Sequence, residues 1–104
     1  MRYPDGIGGF YELNPFPGCN QIIISNHSWI PQEQRGKGQG GKVHQFRLKM
    51  AENLGYDYIL CTVKADNIPQ IRILEKNGWK RLDSFDNRET KNLVFLYGKQ
   101  LYGS

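Results

Sequence analysis

The sequence predicts a mixed α/β sheet with helices packed on it, and three observations carry that prediction. Residues 21–29 and 58–63 are apolar, β-branched runs of strand length. Between them Val43, Phe46, Met50 and Leu54 recur at spacings of three, four and four, the period of one helix face. A second helical segment follows residues 58–63, and two more strand-like runs close the chain.

Taken in order, residues 1–21 are rich in turn formers, Pro4-Asp5-Gly6, Gly8-Gly9 and Asn14-Pro15-Phe16-Pro17-Gly18, with one short strand predicted at 10–13. The strand at 21–29 centres on Ile22-Ile23-Ile24 and is ended by Pro31, which cannot donate to a ladder. A polar, glycine-dense loop spans 32–41, and the amphipathic helix after it is closed by Gly55. Residues 58–63 form a second buried strand with Lys64-Ala65-Asp66 as its exit. The next helix starts at Asn67, a good N-cap with Pro69 in the first turn, turns Ile71 and Leu74 inward, and stops at Asn77-Gly78. Strands at 79–85 and 92–97 complete a hairpin. Strand, helix and strand between 21 and 63 read as a right-handed β-α-β crossover joining parallel strands, within one domain over 1–104.

Composition limits the function classes. With 38% hydrophobic, 23% charged and 12% aromatic residues in 104, the chain has globular and not disordered composition. No apolar stretch approaches signal-peptide or membrane-spanning length, so a cytoplasmic location is expected. Cys19 and Cys61 are then expected as reduced thiols. Fourteen Lys and Arg against ten Asp and Glu give +4, which permits an anionic ligand but is too sparse to support nucleic-acid binding.

The segment Gly36-Lys37-Gly38-Gln39-Gly40-Gly41-Lys42-Val43 fits three phosphate-loop patterns, all resting on one physics: glycines turn several N–H groups toward an anion and the following helix adds the positive end of its dipole. As a Walker A loop it has Val43 where a magnesium-holding Ser or Thr is needed. As a dinucleotide fingerprint it lies too far from the preceding strand, with Pro31 between. The third pattern is Arg35-x-x-Gly38-x-Gly40, preceded by a strand and followed by an amphipathic helix.

This third pattern resembles the acetyl-coenzyme A pyrophosphate loop of the GCN5-related N-acetyltransferase (GNAT) superfamily. The run from Asn67 to Trp79 is similar to the family's second signature, with Asn67, Glu75, Lys76 and Gly78 in register and Trp79 as its aromatic. The resemblance covers about residues 22–97, and its Ile71-Arg72-Ile73-Leu74 form is similar to that of small, phage-encoded versions. It implies a sheet splayed between the strands at 22–29 and 58–63, with pantetheine in the gap. Trp29 and Ile30 would offer backbone N–H and C=O groups to pantetheine. The N–H groups of Arg35, Gly36, Lys37, Gly38, Gln39, Gly40 and Gly41 would hold the pyrophosphate, with Asn67 as a further cofactor contact.

Three departures matter. Gln39 replaces an aliphatic residue, Leu74 stands where the family often has a proton-donating Tyr, and the 34 residues before Arg35 are too few for the family's first strand and two helices, so the resemblance implies an N-terminally truncated version. His27, on the strand just before the cofactor end, is the candidate general base because imidazole titrates near neutrality. A strand histidine bonded to a neighbour is the competing assignment; Glu12, on the strand facing the acceptor side, is a second candidate base, with a solvated strand carboxylate as the default. His44, Cys61, Met50 and the Val43, Phe46 and Leu54 stripe read as structural. No side-chain set has metal-ligand spacing. The function implied is transfer of an acetyl group from acetyl-coenzyme A to an amine, without membrane association and with a homodimer expected; the alternative is a non-catalytic protein that keeps the fold and the loop.

Overall fold

The computed structural model describes residues 1–29, 31–34 and 38–102. Six strands and two helices run β1 (Arg2–Pro4), β2 (Phe10–Pro15), β3 (Ile22–Trp29), α1 (Gln39–Asn53), β4 (Tyr58–Lys64), α2 (Ile68–Lys76), β5 (Lys80–Asp86) and β6 (Leu93–Gln100), with a 3₁₀ turn at Gln32–Gln34. One mixed sheet has the order β1-β2-β3-β4-β6-β5. Only β3 and β4 are parallel neighbours; the other pairs are antiparallel. The predicted fold class is therefore the observed one. The parallel pair joined by α1 and the closing hairpin were legible in sequence, whereas the insertion of β6 between β4 and β5 was not.

β1 was hidden among turn formers. Asp5, 2% exposed, returns the chain: its Oδ1 accepts from Ile7 N–H at 3.0 Å and Gly9 N–H at 2.8 Å. Gly6 and Gly8 supply the positive φ angles, +83° and +92°, that this turn requires. Arg2 then pairs with Glu12 across the hairpin at 2.9 Å, which gives Glu12 a structural task.

The β3-to-β4 and β4-to-β5 crossovers step the same way across the sheet, so their usual right hand puts both helices on one face. There Tyr11, Leu13, Ile23, Ile59, Cys61, Val63 and Tyr97 meet Val43, Leu48, Ala51, Ile71, Leu74 and Trp79 in the core. The helix stripe predicted from the sequence is out of phase: the inward residues of α1 are Val43, His44, Arg47, Leu48 and Ala51. Phe46 and Leu54, expected in the core, are 56% and 46% exposed. Ala51, fully buried, lets the helix approach the strands closely, and the Phe46 and Met50 side is turned toward the β1–β2 hairpin instead, where it lines a pocket with Pro4 and Tyr11.

On the opposite sheet face Ile22, Ile24, Leu60, Val94 and Leu96 are half-buried or more open, and Leu82 and Phe85 are 49% and 50% exposed. No described helix is long and apolar enough to cross a membrane.

Candidate active-site cleft

The parallel pair separates almost as soon as it forms. β3 and β4 share three register pairs, Ile22 with Tyr58, Ile23 with Ile59 and Ile24 with Leu60, and none beyond. β3 continues along β2 to Trp29, while β4 continues along β6 to Lys64. The strands thus form a V, with Ser25 and Cys61 just past the last pair at its floor. A cavity of about 370 Å³ fills it, lined by Ser25, Asn26, Arg47, Cys61, Thr62, Val63, Lys64, Asn67 and Gln70. Unpaired backbone along both arms and polar side chains between them suit a ligand that is itself an extended chain of amides.

β3 also carries an irregularity on its other edge. Tyr11 pairs with Ser28 and Glu12 with Asn26, so His27 is an extra residue with no register partner in β2. Such a bulge releases backbone groups from the ladder and bends the strand locally. It puts His27 and Trp29 on the arm of β3 beyond the V's floor; the contacts of these two side chains lie outside the described structure, as do Ile30, Arg35, Gly36 and Lys37.

The described glycines of the loop divide by task. Gly38 is the N-cap of α1 with φ +74° and offers no side-chain cap, so the first-turn N–H groups of the helix have no capping side chain. Gln39, Gly40 and Gly41, read as loop from the sequence, are the first turn of α1 itself. The glycine-rich sequence masked the helix start, because tertiary contact and not propensity fixes it. Gly40 has a packing reason: a Cβ there would lie 3.3 Å from Ile73 Cδ1 of α2. Around Gly41 a Cβ would meet nothing within 4 Å, so space is open beside the helix start.

Asn67 is the N-cap of α2, its side chain accepting from Gln70 N–H at 3.4 Å, and it also lines the cavity. Leu74, by contrast, is 1% exposed in the core. A tyrosine in its place would have to displace core neighbours, so position 74 is a packing position in this chain.

Two residues were assigned no chemistry in the sequence reading and prove informative. Arg47 is 8% exposed on the inner side of α1, its Nε has no hydrogen-bond partner, and its guanidinium lies 5.7 Å from the Tyr11 ring centroid. Ser25, 4% exposed, has a buried Oγ without a partner. The only advance signal was a charged residue four positions after Val43, hence on the same side of the helix. Burial pushes the Cys61 thiol up to about 12, with Arg47 opposing, so it is a neutral core thiol. Cys19 and Cys61 are both free. His44, structural as expected, accepts from Trp79 Nε1–H at 3.0 Å on its Nε2. Burial, with Arg47 and Lys99 adding repulsion, lowers its pKa to about 4 and keeps it neutral. Among the described residues no group of three His, Cys, Asp or Glu side chains could hold a metal ion.

No protein-family model matches the sequence, and no curated protein matches it. Solved structures match the fold closely. A protein assigned as a phosphinothricin N-acetyltransferase superposes with a TM-score of 0.80 at 23% identity over 90% of this chain and 61% of its own. Ard1 from Thermoplasma volcanium gives 0.79 at 15% identity, over 90% and 63%. The yncA protein of Salmonella typhimurium, assigned as an acetyltransferase and solved with its cofactor acetyl-CoA, gives 0.77 at 16%, over 92% and 59%. This chain therefore spans about three-fifths of the length of these structures. Its split parallel pair and six-stranded mixed sheet with two helices give it the fold of the GNAT acetyltransferases.

Proposed function

We propose that the protein is an acetyl-coenzyme A-dependent N-acetyltransferase that moves an acetyl group directly to an amine. The observation that carries this reading is the V between β3 and β4, which opens onto a polar cavity lined by Asn26, Arg47 and the α2 cap residue Asn67. The residues present fit the cofactor: Asn26, Thr62, Asn67 and Gln70 give the cavity a polar lining, and the space beside Gly41 is open. The structure of yncA with acetyl-CoA supports the same choice by analogy of fold.

In this reading the N–H groups at the start of α1, from Gly38 to Gly41, hold the pyrophosphate with the helix dipole behind them, and Arg35 and Lys37 add charge to its oxygens. Asn67 caps α2 and lines the cleft. The backbone of β3 near Trp29 and Ile30 would position the pantetheine arm, and an N–H there would donate to the thioester carbonyl oxygen. Acetyl-coenzyme A supplies the activated acyl carbon. With acetyl-coenzyme A bound, His27 or a water would accept the proton of the attacking amine, and water would have to protonate the departing thiolate, because Leu74 has no proton to give. Thiols titrate near 8.5, so that departure is slow but feasible, and the absent general acid is worth about 10²–10⁴-fold. The buried Leu74 also favours a second reading, a protein that binds coenzyme A without turnover.

Thermal unfolding with ligands tests the proposal. Coenzyme A at about 100 times its dissociation constant should add about 2.7 kcal/mol of stability and raise Tm by several degrees, whereas ATP with magnesium and NAD should not. No shift with coenzyme A or acetyl-coenzyme A sinks the reading. Thiol release on a panel of amines then separates enzyme from non-catalytic binder.

A further inference from the structure

The floor of the cleft holds a positive charge that none of the described residues neutralises and that a coenzyme A pantetheine arm would not neutralise either. Arg47 makes neither of the ion pairs among the described residues, which join Arg2 to Glu12 and Arg81 to Glu75. The one buried carboxylate among the described residues, Asp5, spends its Oδ1 on the N–H groups of Ile7 and Gly9, and its buried Oδ2 makes no bond to Arg47. The neighbouring Cys61 and His44 are both neutral, as described above. Among the described residues the cavity has no acidic lining: Arg47 and Lys64 are joined there by Ser25, Asn26, Thr62, Asn67 and Gln70, all of which can donate. A guanidinium more than nine-tenths buried without a counter-charge is costly, and a binding site can return that cost when the partner arrives with the ligand.

In the proposed function, on which this inference rests, the pyrophosphate lies at the mouth of the cleft by the start of α1, and pantetheine carries no charge. Neither reaches the floor with an anion. We propose that Arg47, with Ser25 beside it, is a carboxylate receptor, so that one of the two molecules that meet at the floor carries a carboxylate group. A planar guanidinium fork matches a carboxylate by two parallel hydrogen bonds, and Ser25 Oγ–H adds a third donor. The carboxylate comes either from the acceptor, as in an amino acid, or from the acyl group, as in a dicarboxylic monothioester.

Calorimetry on the wild-type chain distinguishes the sources without relying on turnover. For the donor, succinyl-coenzyme A is compared with butyryl-coenzyme A, which has a methyl in place of the terminal carboxylate. For the acceptor, N-acetyl-L-alanine is compared with N-acetyl-L-alaninamide in the presence of coenzyme A. One of the two carboxylates should bind at least about 30-fold more tightly than its uncharged partner, the range expected when one member of a buried charge pair is removed. Arg47→Met should abolish that preference while coenzyme A still binds. Arg47→Lys, which keeps the charge and loses the fork, should retain part of it and serves if the methionine variant does not fold. Equal binding within both pairs, or a preference unchanged in either variant, overturns the carboxylate receptor and leaves the acetyltransferase reading standing. Failure of wild type to bind coenzyme A at all overturns both.

Discussion

At the scale of single residues, the same type of side chain takes different roles according to its surroundings. His44 lies in the interior between α1 and Trp79, and its pKa near 4 has a direct consequence for stability. The unfolded chain takes up a proton at this residue near pH 6.5 that the folded chain refuses until about pH 4. Stability from this site is therefore complete above pH 6.5 and is lost as pH falls toward 4, since the unfolded state binds more protons in that window. Substitution His44→Gln keeps an acceptor for the Trp79 indole and removes the titration. Its Tm should fall less steeply than that of wild type between pH 6.5 and 4.5, followed by circular dichroism; parallel curves would show that the histidine does not titrate there.

At the scale of elements, the contact between α1 and α2 explains a glycine that sequence reasoning gave to the cofactor alone. A Cβ at Gly40 approaches Ile73 Cδ1 at 3.3 Å, so a bulkier residue there must push the helices apart or distort the cleft between their N-terminal ends. Gly40→Val should cost about 1–3 kcal/mol through overpacking, measured by urea unfolding. The double variant with Ile73→Ala should recover part of that loss beyond simple addition of the two single effects. Strict additivity would show that the 3.3 Å approach relaxes without consequence and that the glycine serves only the ligand. Gly98 on β6 shows the same logic inside the sheet: a Cβ there would meet Tyr58 Oη at 2.5 Å and Leu82 Cδ1 at 2.9 Å, so the two neighbouring strands send side chains across a position that must stay bare.

At the scale of the whole molecule, the two faces of the sheet are unequal. Both helices lie on one, and the other leaves Ile22, Ile24, Leu60, Val94 and Leu96 only partly covered, with Leu82 and Phe85 about half exposed. The edge of β3 gives no reason to dimerise, because β2 and then β1 pair onto it. The uncovered face is the better reason, since apolar area of this kind marks association surfaces. A homodimer through this face is the expected outcome in light scattering at micromolar concentration. Leu82→Lys should shift it toward monomer; a wild-type monomer, or a dimer indifferent to position 82, counts against this arrangement.

The sequence by itself determined the element types and the elements that frame the site. Ile22-Ile23-Ile24, the Asn67 cap with Pro69 behind it and the left-handed stops at Gly55 and Gly78 are local signals, and each was found where it was read. Only the tertiary structure decided what depends on partners distant in sequence. The phase of α1 follows from the strands it meets, so Phe46 turned out and Arg47 in. β1 exists because Asp5 folds the chain back onto β2, and α1 begins among glycines whose intrinsic preference opposes a helix. The cleft itself is not written in any one segment. It arises because β3 stays with β2 and β4 with β6 after three shared pairs, and that competition between ladders, each drawing a strand to its antiparallel neighbour, is settled only when all four strands are in place.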